Sequence, residues 1–168
     1  MEQSHDVSMR SSEVEVMPHL EHIVLQRFLL NRRTEDDGVL TPLSGKFTLS
    51  IEARGSLTVK TSPRNNKPYI VALMYVDAEV YSKEDEVIPD VECEVALQGF
   101  FSTTPQQSTE DLKLLVSANK DLYHELGKTM YPVAVREIRL KLVDAGLPPP
   151  SMISSFRKEE METLSDSE

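Results

Sequence analysis

Residues 47–59 read FTLSIEARGSLTV, a stretch in which apolar and polar side chains alternate. A period of two places the apolar set on one face of a β-strand and the polar set on the other. Gly55 interrupts the apolar row, and its missing side chain permits a bend or bulge there. The stretch therefore predicts a strand with one face covered by the core and one face in solvent.

Three further segments carry strand patterns, at 22–31, 69–81 and 91–102. The linker 62–68, which lies between two of the strands, contains two prolines and two adjacent asparagines that tolerate left-handed backbone geometry. A hairpin is the economical interpretation of this linker. All four strands precede any helical pattern, and this order is typical of an antiparallel sheet.

Helical periodicity begins only after residue 105. Ser108 or Thr109 is the expected N-cap of a first helix that ends near Gly127, and a second helix is predicted from about 131 to 145. Four strands followed by two helices predict an α+β fold. We expect a four-stranded antiparallel sheet with the helices packed on one face.

The second predicted helix is apolar on two sides, and Pro132 suits its first turn. One stripe would cover the sheet; it consists of Tyr131, Ala134, Val135, Ile138, Leu142 and Ala145. The other stripe consists of Val133, Leu140, Val143 and Leu147. Because a lone sheet covers only one side of a helix, the second stripe predicts the interface of a homo-oligomer, a dimer or a tetramer. The alternative is packing on the preceding helix or on the C-terminal segment.

The charge is unevenly distributed. The 168 residues hold 18 Lys+Arg and 28 Asp+Glu, a net charge of −10, which argues against nucleic-acid binding through phosphates. Residues 1–18 and 151–168 carry −3 each and are rich in Ser and charge, so we predict two acidic, mostly disordered tails. Residues 19–150 are expected to form one domain.

The composition also bears on compartment and chemistry. The sequence has no run of about 18 apolar residues and no apolar signal segment, so we expect a cytoplasmic protein without membrane insertion. The single cysteine, Cys93, lies among inward-facing residues and is expected to be a small core residue.

The polar residues offer little for catalysis. His19 and His22, three apart on a strand, would point to opposite faces, which is poor geometry for a shared metal. Glu92 and Glu94 would lie side by side on an exposed sheet face. Glycine-rich phosphate loops are lacking, so the sequence predicts a protein that is not an enzyme, with no metal and no cofactor.

Two motifs resemble the SecB export-chaperone family. The first is CEVALQGFFS at 93–102, and the second is YPVAVRE at 131–137 with Leu-Pro at 147–148. Their order and spacing match the family. The resemblance covers about positions 20–150 and agrees with the strand and helix order derived above.

The resemblance implies an ATP-independent holdase that binds unfolded or aggregation-prone polypeptides, including preproteins for export, and forms tetramers. The candidates for the client-binding groove are Val39, Leu40, Leu43, Phe100, Phe101 and Tyr131. The family also presents a carboxylate to the SecA motor, and Glu94, with its neighbour Glu92, is the corresponding candidate here. The alternative is a protein of the same fold that serves one dedicated partner, as an adaptor, an inhibitor, or a chaperone associated with a phage or a toxin–antitoxin system.

Overall fold

A computed structural model describes residues 17–34, 38, 48–81, 88–147 and 161–163. The predicted tails fall outside these residues, apart from Met17, Pro18 and the segment 161–163. The groove candidates Val39, Leu40 and Leu43 also lie outside them.

Four long strands form an antiparallel sheet, as the alternation predicts. They are β1 (Pro18–Arg32), β2 (Thr48–Thr61), β3 (Pro68–Tyr81) and β4 (Val91–Thr103). A short fifth strand, β5 (Met161–Thr163), pairs in parallel with β2, and the sheet order is β1-β4-β3-β2-β5. The hairpin between β2 and β3 is confirmed, and Asn66 takes the left-handed conformation with φ of 54°.

Two helices, α1 (Thr109–Ala118) and α2 (Leu122–Asp144), pack on one face of the sheet. Ser108 is the N-cap of α1: its Oγ accepts a hydrogen bond from the Asp111 N–H, and the Asp111 carboxylate accepts one from the Ser108 N–H. The predicted α+β architecture, a four-stranded antiparallel sheet with helices on one face, is therefore confirmed.

The break between the helices differs from the prediction. It falls at 119–121, and α2 runs without interruption through Gly127 and Pro132. The reason is a buried stripe at every fourth position, which continues across both residues. Its members are Leu122, Leu126, Met130, Ala134, Ile138 and Leu142. Packing of this stripe on the sheet outweighs the local preference of Gly and Pro for helix ends.

Gly55 also differs from the prediction, because the pairing of β2 with β3 continues through Gly55 and Met74 without a bulge. A Cβ atom on Gly55 would collide with the Tyr123 hydroxyl of α2 and with the Leu73 carbonyl oxygen. The glycine therefore provides the space in which α2 approaches the sheet. Tyr123 is buried, and burial raises the pKa of its hydroxyl well above the ordinary value.

The core lies between the helices and one face of the sheet. On β4 it takes every second residue, including Val91, Cys93, Val95 and Leu97. The prediction for Cys93 is thus confirmed: the side chain is buried, and burial raises the pKa of its thiol to about 12. The opposite face of the sheet, which we call the open face, carries the alternate residues of each strand.

Candidate functional site

The side chains on the open face change from apolar at one end to acidic at the other. The register of β3 against β4 pairs Val71 with Phe100 and Leu73 with Gln98 near one end. At the other end it pairs Asp77 with Glu94 and Glu79 with Glu92. Paired residues of antiparallel strands share a face, so the open face is apolar at the first end and acidic at the second.

A cavity of about 630 Å³ opens at the apolar end, and we call it the Phe100 pocket. Its centre is aromatic: the Phe100 ring stacks on the His22 ring with 4.3 Å between centroids and 15° between planes. Tyr69 adds a third ring, 5.9 Å from Phe100. Lys67, from the β2–β3 hairpin, also lines the cavity. The pocket offers a partly exposed aromatic surface with polar and cationic groups at its rim.

A β-bulge builds part of this pocket. The register of β1 against β4 shifts between Leu20 and His22, so that His19 pairs with Ser102 and His22 pairs with Phe100. Both histidines therefore lie on the open face, and the prediction that they point to opposite faces is wrong. The extra residue of the bulge reverses the alternation between them.

Ser102, His19 and Glu21 form a polar cluster at the rim. The Ser102 hydroxyl donates a hydrogen bond to the Glu21 carboxylate and lies 2.9 Å from Nε2 of His19, while Glu21 lies 3.1 Å from the same nitrogen. The hydrogen bond from Ser102 lowers the pKa of Glu21. A serine nucleophile needs its carboxylate on the other ring nitrogen, so this arrangement is not a catalytic relay. The cluster instead fixes the rim of the pocket.

The acidic end is only partly neutralised. Arg54 lies 3.1 Å from the Asp77 carboxylate and 3.5 Å from that of Glu94, and Arg27 lies 3.0 Å from Glu94. Burial raises the pKa of Asp77, an effect that Arg54 opposes and Glu94 reinforces. Glu92 is exposed at this end. A cationic partner would thus meet Glu92 more readily than Glu94, whose carboxylate already has two guanidinium partners.

The other site residues expected from sequence separate into two groups. Phe101, Tyr131 and Leu147 are buried in the core. Leu147 is drawn inward because Gly146, with φ of 87°, ends α2 in a Schellman turn in which the Leu147 N–H donates to the Leu142 carbonyl.

Phe100, Val133, Leu140 and Val143 are accessible to different degrees. Phe100 and Val133 are half-buried, whereas Leu140 is 53% exposed and Val143 is 43% exposed. Phe101 also borders the Phe100 pocket, but it is only 1% exposed. Among the groove candidates in the described residues, only Phe100 therefore offers its side chain to a partner.

Sequence reasoning missed His22, Tyr69 and Lys67 as companions of Phe100. Tyr69 could have been found from the alternation of β3, because it shares the parity of the apolar residues Val71 and Leu73 on that face. No sequence signal marked the bulge that turns His22 toward Phe100.

The described residues contain neither a membrane-spanning helix nor a cluster of metal ligands. No helix in this part of the chain is long and apolar enough to cross a membrane. Nor does the same part contain a group of three or more His, Cys, Asp or Glu residues that could hold a metal ion.

The fold resembles a solved structure of a chaperone. No protein-family model and no curated protein matches the chain. A SecB-like chaperone of Mycobacterium tuberculosis, solved in complex with a ChAD peptide from the HigA1 antitoxin, superimposes with a TM-score of 0.56. The match covers 82% of this chain and 88% of that chain at 11% sequence identity. At this identity the similarity concerns the fold, and the chain has a SecB-like fold.

Proposed function

We propose that this protein is an ATP-independent chaperone that holds unfolded or aggregation-prone polypeptides in an extended form. The observation that carries the proposal is the Phe100 pocket, an aromatic cavity on a sheet face opposite the helices. A holdase performs no chemistry; it needs apolar surface that competes with the collapse of its client, and charge that keeps the complex in solution. The Phe100 pocket offers the apolar surface, and the acidic end of the open face offers the charge.

A dedicated partner is the second candidate function. The SecB-like structure from Mycobacterium tuberculosis contains a peptide from an antitoxin, and that observation favours a chaperone that serves one protein. The two functions differ in breadth of binding, because a general holdase recognises apolar content and extended backbone, whereas a dedicated one recognises one sequence.

The test is protection of several unrelated unfolded proteins from aggregation at a near-stoichiometric ratio. We expect light scattering to be suppressed for all of them, with no requirement for ATP. Serum albumin at equal mass is the control for nonspecific protection. If none of the clients is protected while a single partner from the native cell binds tightly, the protein is a dedicated chaperone or an adaptor.

We further propose that the acidic end of the open face docks a basic partner, with a SecA-type motor as the candidate that the resemblance implies. Glu92 is exposed, so the substitution Glu92→Lys should weaken SecA binding about fivefold, because a charge that repels a basic partner replaces one that attracts it. Glu110→Lys on α1 is the matched control, since it changes the net charge equally at a site remote from the open face. Equal SecA affinity of the wild type and Glu92→Lys, measured by interferometry, would contradict the docking site.

We also propose that the protein is a homo-oligomer, a dimer or a tetramer. Leu140 and Val143 are exposed on α2, and Leu25 is 48% exposed on the strand beneath it. The contact of Lys141 with the Phe28 ring shows that this part of α2 lies over β1. A second copy would cover these side chains, together with the outer edge of β1.

Leu140→Glu combined with Val143→Glu should convert the oligomer to a monomer, because two carboxylates would have to be buried at the interface. Sedimentation velocity at micromolar concentration measures the change. Leu114→Glu is the control, since Leu114 is 66% exposed on the other helix. A wild-type protein that sediments as a monomer would refute the oligomer.

A further inference from the structure

The outer edge of β2 is mostly unoccupied in the described part of the chain. The strand spans 14 residues, and β5 pairs with only three of them, matching Ala53 with Met161, Arg54 with Glu162 and Gly55 with Thr163. Within residues 17–34, 48–81, 88–147 and 161–163, no other strand pairs with this edge. An edge strand presents unpaired N–H and C=O groups that can template a further strand.

Apolar side chains border the edge on the helix side. Leu57 and Val59 of β2 are partly buried, and so are Leu115 and Val116 of α1, which packs against β2. Leu114, on the same helix, is largely exposed. A strand laid beside β2 would direct every second side chain toward this side of the sheet, where α1 lies.

Polar side chains border the edge on the open face. The residues of this row are Ser50, Glu52, Arg54, Ser56, Thr58 and Lys60. The row mixes hydroxyl groups with both signs of charge. An incoming strand would therefore fit best with apolar residues at alternate positions and with polar residues of either charge between them.

We propose that the outer edge of β2 binds an extended polypeptide segment with apolar residues at alternate positions, and that β5 holds this place until such a segment displaces it. This inference rests on the proposed function and names its binding mode. The pairing of Met161–Thr163 demonstrates that the edge accepts a strand. Because β5 pairs through only three residues, its pairing is weak. It nevertheless occupies the edge because it lies on the same chain and so has a high effective concentration. A client that pairs along more of β2 replaces it.

The first experiment locks β5 onto the edge with a disulfide in Arg54→Cys combined with Glu162→Cys, two residues paired in the register. The native Cys93 does not interfere, because it is buried and its thiol pKa is raised to about 12. The probe is a neutral, fluorescent twelve-residue peptide with Val at every second position and alternating Lys and Glu between. A matched peptide with Pro at its four central positions lacks the N–H groups for pairing.

We expect the reduced variant to bind the Val peptide and the oxidised form of the same protein to bind it at least about fivefold more weakly. The Pro peptide should bind neither form. Equal affinity of the reduced and oxidised forms for the Val peptide would overturn the proposal, as would equal binding of the two peptides.

A second variant removes the competitor without a disulfide. Met161→Pro combined with Thr163→Pro takes two N–H groups from β5, so the Val peptide should bind about threefold more tightly than to the wild type. Unchanged affinity would contradict the proposal that β5 competes with the client for the β2 edge.

The edge proposal and the holdase proposal can fail separately. If the redox-dependent peptide binding is found but no unfolded protein is protected from aggregation, the edge proposal stands and the general holdase fails. If protection is found without redox-dependent binding, clients use another surface and the edge proposal fails.

Discussion

Gly55→Ala should lower the free energy of unfolding by about 3 kcal/mol, near the upper end of what overpacking a core typically costs. The new Cβ would overlap the Tyr123 hydroxyl and the Leu73 carbonyl oxygen, and it would lie 2.6 Å from Cζ of Tyr123. The carbonyl belongs to the backbone of the neighbouring strand and cannot rotate away. Because Tyr123 is buried between α2 and the sheet, its ring can move only if the helix moves.

Gly99→Ala is the matched control, since Gly99 also lies in the sheet under α2. The atoms nearest to its Cβ would belong to side chains, with Sδ of Met130 at 2.7 Å and Cε2 of Phe101 at 2.8 Å. Met130 is flexible and can give way, so we expect a smaller loss of about 1 kcal/mol. Urea unfolding of both variants measures the difference. If Gly55→Ala lowers the free energy of unfolding no more than Gly99→Ala does, α2 can shift away from β2 at little cost in free energy.

The sheet was predictable because β2, β3 and β4 each carry an apolar residue at every second position on the core face. The alternation at 47–59 reports burial on one face, and Ala53 is buried while its neighbour Glu52 is exposed. The helix boundary was not predictable from Gly127 and Pro132 taken alone, because local propensity is weak against tertiary packing. The sequence does contain the apolar stripe at every fourth position from Leu122 to Leu142. When this stripe is followed across Gly127 and Pro132, it predicts a single uninterrupted helix.

The candidate site was predictable only in part. Phe100 was identified from the sequence, but so were Phe101 and Tyr131, which the sheet and helix direct into the core. The parity of β4 separates the two phenylalanines, since Phe101 shares a face with Cys93. The bulge at residues 20–22 is harder to infer, because it depends on how β1 matches β4 and not on the composition of β1 itself.

The adjacent residues Phe100 and Phe101 should respond to the same substitution in opposite ways. Phe101 is 1% exposed, so Phe101→Ala should lower the free energy of unfolding by about 3–5 kcal/mol. Phe100 is half-buried on the open face, so Phe100→Ala should leave a folded protein whose affinity for an unfolded client falls at least about tenfold. The reason is the loss of the ring on which His22 stacks and of the apolar centre of the pocket.

The affinity difference can be measured by titrating each folded variant with a reduced and alkylated, permanently unfolded protein. Ile88→Ala is the matched control, because Ile88 is also apolar and 60% exposed but precedes β4, at the opposite end of that strand from Phe100. We expect Ile88→Ala to bind the client like the wild type. If Phe100→Ala does so too while remaining folded, the pocket is not the client contact. Binding would then have to be sought at the β2 edge, where the backbone and not an aromatic ring provides the contact.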